Sequence, residues 1–248
     1  MHRWKAGYVN ELYLLLYRKK VGIFGAVSIL LPILFAVSLQ ALGPVLGLLS
    51  IGGSFPIQML GFYTALWIPL FILTLTGDQF PHEVASRTLK LAFLRPSTRV
   101  HIFTAKVAAQ GTAVAILLAL LFAVTLLCAM FTGTSLSLAE GLSAAKAYAA
   151  AFASMLALSA VFVFVAQFFK SASGFVVFGI ALYVAAKLAP FFVQSFPAFS
   201  PVSYTDWHLL WLNDGVPAGR RITASLFLLS SSLLFFAFGY YKFDRKEV

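Results

Sequence analysis

His82-Glu83 is the pair in this chain whose residue types come nearest to hydrolytic chemistry. Histidine followed by glutamate opens the His-Glu-x-x-His helix of zinc hydrolases, where a second imidazole one turn on completes the metal site and the carboxylate activates water. Here that second position is Ser86. A Glu-Glu-x-x-x-Arg pattern, used by another class of membrane protease, is half met by Glu83 and Arg87, with His82 in place of its first glutamate. The other histidines, His2, His101 and His208, fall in separate segments and suggest no ligand set by spacing. No glycine-rich segment runs into Lys-Ser or Lys-Thr, so the chain has no phosphate-binding loop and no evident means of hydrolysing ATP. Lys187 stands alone in an apolar stretch beside Pro190, where its stem can snorkel to the interface; facing a pathway, it would attract an anionic headgroup or a carboxylate.

The elements that must position these residues follow from composition. The 248 residues are 61% hydrophobic and only 10% charged, with a mean hydropathy of +0.92, whereas soluble domains carry roughly 25% charged residues. The chain is therefore expected to be an all-α integral membrane protein, built from helices of about 20 apolar residues each. Its net charge of +10 lies at the ends of apolar runs, where it sets orientation and meets membrane lipid, so no nucleic-acid partner is expected. A single cysteine, Cys128, excludes an intrachain disulfide.

Taken in order, residues 1–20 are expected to form an amphipathic interfacial helix, with Trp4, Tyr8, Leu12 and Leu15 on one face and Arg3, Gly7, Asn10, Glu11 and Arg18 largely opposite. The lead-in and the run that follows are both too long for a cleaved signal peptide. Residues 21–248 then form a single transmembrane domain. Its first two spans share the uncharged run from Val21 to Gly77, broken by the glycines and prolines between Gly43 and Pro56. Pro32 and Pro69 fall within those spans and need neighbours to satisfy the carbonyls they free. The third span runs from about Val107 to Phe131, the fourth from about Tyr148 to Phe169, with Ala149, Ala153 and Ala157 as a small-residue ridge. The fifth runs from Gly174 to about Phe192, the sixth from Ile222 to Tyr241, and the outer loop 194–221 between them carries a short interfacial helix around Trp207 and Trp211. Six spans place Arg3, Lys5, Arg18, Lys19, Lys20, Arg87, Lys90, Arg95, Arg99, Lys106, Lys170, Lys242, Arg245 and Lys246 on one side, against Lys146, Arg220 and Arg221 on the other. That bias predicts both termini in the cytoplasm.

Between the second and third spans lies a polar island, Gly77 to Lys106, with seven charged residues: Asp78, Glu83, Arg87, Lys90, Arg95, Arg99 and Lys106. Val84 to Leu94 can form a short helix with Leu91 and Leu94 on one side and Arg87 and Lys90 toward solvent, ended by Pro96. Such a helix, projecting from two spans, can act as a lever. Glu83 lies near the membrane boundary and calls for a basic partner such as Arg3, Arg18 or Arg99.

The order Glu83, Thr88-Leu89, Leu91, Leu94, Arg95-Pro96, Ser97-Thr98-Arg99, Lys106 resembles the first cytoplasmic loop, 78–106 here, of the permease family of type-2 ATP-binding-cassette (ABC) transporters. The departure is Arg87, where that family often has glycine. The resemblance implies that this loop is the coupling helix and that Glu83, Arg87, Thr88, Leu89, Leu91, Leu94, Arg95, Pro96 and Arg99 meet a separate ATPase subunit. It also implies a second permease copy or related permease, and ATP and Mg in the partner subunit with no cofactor in this chain. Export across a bacterial or archaeal cell membrane is the expected activity. An ion-coupled secondary transporter or an intramembrane enzyme remain the alternatives. The 26 phenylalanines suit an apolar or amphipathic cargo, although in lipid-facing helices they are more often simple membrane contact.

Overall fold

The computed structural model describes residues 2–46, 54–88, 98–131, 137–192, 200–213 and 215–246, and the described residues form an all-α protein. Helix α1 spans His2–Leu16 and α2 Lys19–Leu46. Helix α3, Phe55–Ala85, contains a π-turn at Tyr63–Trp67 and a break at Phe80 before a final turn, Pro81–Ala85. Then come α4, Arg99–Phe131; α5, Leu138–Ala166; α6, Ala172–Phe192; the short α7, Trp207–Leu212; and α8, Ala218–Asp244. Among the described residues six helices, α2 to α6 and α8, are long and apolar enough to cross a membrane, which agrees with the six expected spans.

Helices α3 and α5 are the most buried of the six, with α4 packed against both, while α2, α6 and α8 are mostly exposed. Ile23, Leu30, Leu34 and Val37 on α2, and Leu226, Leu229 and Leu233 on α8, project outward. In water such faces would aggregate; in a bilayer they meet hydrocarbon. Where helices come closest, glycine permits it. A Cβ on Gly179 of α6 would run into the Leu73 side chain of α3, and Gly239 of α8 rests against the backbone of Phe164 on α5.

Pro32 and Pro69 are each accommodated by a tyrosine from another helix. Pro32 has no N–H to offer the Ser28 carbonyl four residues before it, and the Tyr63 hydroxyl donates to that oxygen at 3.2 Å. Pro69 stands in the same relation to Ala65, whose carbonyl accepts from the Tyr183 hydroxyl at 2.6 Å. Tyr63 is fully buried and Tyr183 nearly so. The π-turn immediately before Pro69 widens the helix there, with Ile68 N–H bonded back to the Tyr63 carbonyl.

Three expectations need correction. The small-residue ridge of the fourth span is rotated: Ala149 and Ala153 face outward, while Ala147, Ala151, Ser154 and Ala157 take the packed positions. Helix α1 packs along α4, with Trp4 Nε1 donating to Thr104 Oγ1 at 3.1 Å and the Tyr8 hydroxyl 2.8 Å from Thr112 Oγ1. Glu11, assigned by pattern to the opposite face, turns toward α4. Tyr13, Leu14 and Tyr17 remain exposed on the outer face of α1.

The third correction concerns the start of the helix expected from Val84 to Leu94, the only part of it among the described residues. The turn that begins at Pro81 ends at Ala85, and Arg87 adopts φ 59°, in the left-handed region. This is the position where a glycine was expected from the family pattern, and a side chain there costs about 1–2 kcal/mol. Arg87→Gly should therefore raise the thermal unfolding midpoint in detergent, whereas the β-branched Arg87→Val should lower it. Leu89, Lys90, Leu91, Leu94, Arg95 and Pro96 lie outside the described residues.

Candidate functional site

The charged residues that close α3 and open α4 converge at the end of the bundle that carries both termini. Asp78 ends the long part of α3, 4% exposed, and binds two cations from the start of α2: Arg18 at 3.1 Å and Lys20 at 2.9 Å. Pro81 then starts a new turn, placing Glu83 in its first turn, where a carboxylate favours the positive end of the helix. Opposite it, Lys106 of α4 has no solvent exposure. Its ammonium lies 2.6 Å from Glu83 Oε1 and 3.0 Å from both carboxylate oxygens of Glu11.

Glu83 thus finds its partner in Lys106, a cation outside the set of basic residues expected from the sequence, Arg3, Arg18 and Arg99. The reason is geometric: the turn Pro81–Ala85 carries Glu83 within reach of Lys106, the cation on the buried face of α4. Arg18 contributes at longer range. Three acids and three cations come together here, from a chain with only eight Asp and Glu residues. Isolated buried charge is too costly to persist, so each member holds the others in place.

One helical turn deeper, Gln110 continues the same face of α4. Its amide donates to Thr76 Oγ1 of α3 at 2.8 Å and to Ser159 Oγ of α5 at 3.0 Å, while Gln79 Nε2 donates to the Lys106 carbonyl at 3.2 Å. Beside this polar column, Phe80, Phe103 and Phe243 bring α3, α4 and α8 together with ring centroids 5.5–6.1 Å apart. These contacts tie the residues flanking the α3–α4 connection to α1, α2 and α8.

The remaining residues of interest fall into three places. Thr88 Oγ1 lies 2.9 Å from Ser86 Oγ and donates to the Glu83 carbonyl at 3.4 Å, which closes the turn around exposed Arg87. Arg99 donates to the Asp244 carbonyl at the end of α8, tying the start of α4 to the C-terminal helix. Lys187 is at the far end, where it reaches Thr205 Oγ1 and, at 3.5 Å, Asp206 of the connection between α6 and α8. That connection is more deeply packed than an interfacial loop: Thr205 and His208 are fully buried against α5, leaving Leu209 and Trp211 at the surface. Burial holds the His208 imidazole neutral, below its ordinary pKa, with Asp206 opposing the shift.

Sequence reasoning missed Glu11 and Gln110. Glu11 is the only acidic residue before Asp78, and Gln110 follows Lys106 by four residues in an otherwise apolar helix. Both facts are legible in the sequence, but which way Glu11 faces is not.

The arrangement offers ion pairs and amide hydrogen bonds, and among the described residues no three His, Cys, Asp or Glu side chains cluster as a metal site would need. The family model for ABC-2 family transporter protein matches residues 11–248. The chain belongs to that family. Its members are non-catalytic permeases, so this ABC-2 protein is a multi-pass membrane permease subunit. A comparison with curated proteins gives no match.

Proposed function

We propose that this ABC-2 permease is an exporter driven by a separate ATPase subunit, which engages the loop between α3 and α4. The observation that carries this reading is the buried ammonium of Lys106, held by Glu11 and Glu83 at the foot of that loop. A solvated loop that only fixed topology would have no use for a fully desolvated cation joining three helices. Energy from ATP and Mg, bound by the partner, would bias the helices between inward-open and outward-open arrangements through differential binding. In this reading Glu83, Arg87, Thr88 and Arg99, with Leu89, Leu91, Leu94, Arg95 and Pro96, form the coupling surface. Residues 1–20 act as an interfacial helix on the transmembrane domain 21–248, both termini are cytoplasmic, and a second permease copy or related permease completes the route. The exposed Tyr13, Leu14 and Tyr17 suit the headgroup region. Lys187, already matched by Asp206, serves as a clasp on the connection before α8. The expected setting is a bacterial or archaeal cytoplasmic membrane.

The test is crosslinking from Leu91→Cys and Leu94→Cys in cells, followed by identification of the captured chain. A stoichiometric ATPase is the expected product, and ATP should drive cargo into inverted vesicles. Reaction with lipid or solvent alone, while the isolated chain still transports, would overturn the proposal.

A further inference from the structure

Between α5 and α8, at the end that carries the termini, an open recess of about 520 Å³ is lined by Phe164, Ala237, Phe238, Tyr241 and Lys242. Its walls are hydrocarbon and aromatic rings until the rim, where the chemistry changes. Lys242 Nζ sits 5.2 Å from the Phe168 ring centroid, and the Arg245 guanidinium lies 4.2 Å from that of Tyr241. Among the described residues neither cation has a carboxylate partner within salt-bridge distance. Helical periodicity explains the alignment: positions 238, 241, 242 and 245 share one stripe, while Asp244 falls about 100° around the helix from Arg245.

We propose that this recess binds one anionic phospholipid, with an acyl chain against Phe164 and Phe238 and the phosphate on Lys242 and Arg245. Phe238 to Arg245 covers about 10 Å along the helix, so the apolar wall and the cationic rim follow one another in the order in which a phospholipid presents chain and headgroup. The rings beneath the two cations hold them at the rim and leave their N–H donors available to phosphate oxygens. A basic recess between transmembrane helices at headgroup level has the charge complementarity that selects anionic lipids. The site does not depend on which side of the membrane this end faces.

Full-length protein released from nanodiscs of equal phosphatidylglycerol and phosphatidylcholine should retain, by native mass spectrometry, one phosphatidylglycerol per chain in clear excess over phosphatidylcholine. Lys242→Gln and Arg245→Gln should each reduce that preference about fivefold; Lys242→Arg should preserve it. Ala237→Phe, which fills the recess, should lower retention of both lipids. Soluble glycerophosphate should fail to compete, because it has no chain to place. Equal retention of the two lipids by the wild type, or an undiminished preference in the Lys242→Gln/Arg245→Gln chain, would overturn the proposal. So would competition by glycerophosphate, or occupation of the recess by a second copy regardless of headgroup charge.

Discussion

Replacing Lys106 with methionine is expected to destabilise the protein by about 3–5 kcal/mol, because it leaves the carboxylates of Glu11 and Glu83 close together and without their cation. The loss should appear as a large fall in the thermal unfolding midpoint in detergent. The triple variant Glu11→Gln/Lys106→Met/Glu83→Gln removes the charges together and should recover most of that stability, since a complete buried ion cluster is often worth little more than an uncharged replacement. Transport separates stability from coupling. If the cluster transmits motion from the loop, the triple variant stays folded but loses ATP-driven transport; a folded triple variant with normal transport would reduce the cluster to packing.

The second large effect is expected from Tyr63→Phe combined with Tyr183→Phe. Each substitution keeps the ring and removes the hydroxyl that serves a proline-freed carbonyl, Ser28 in α2 and Ala65 in α3. An unpaired carbonyl away from water costs about 1–3 kcal/mol, so the double variant should lose roughly twice that if the sites act independently. Restoring the missing backbone donor provides the check. Pro69→Ala should recover much of the loss in Tyr183→Phe, and Pro32→Ala should do so for Tyr63→Phe, each measured as an unfolding midpoint. If neither proline variant rescues its partner, the tyrosines contribute through ring packing and the hydrogen bonds are incidental.

These predictions divide along a physical line. The number of spans and the need of a carboxylate at Glu83 for a cation were legible because bilayer thickness and charge desolvation act on the local chain. Pro32 and Pro69 announced freed carbonyls for the same reason: a missing N–H is a property of one residue. Their partners were not announced, since Tyr63 lies 35 positions from Ser28 and Tyr183 lies 118 from Ala65.

The same limit explains the ion cluster and the loop. Glu83 was recognisable as a carboxylate in need of a cation, but several basic residues stood within plausible reach. The packing of the helices set Lys106 against Glu83, and the packing of α1 along α4 brought Glu11 in from 95 positions away. The family pattern marked residue 87 as a glycine position, and only the backbone revealed that Arg87 takes the left-handed conformation there. What the amino-acid order determined by itself was where the chain could enter lipid and which groups would be costly to bury; the tertiary structure decided how those costs were met, because the compensating groups belong to helices that adjoin only once the bundle has packed.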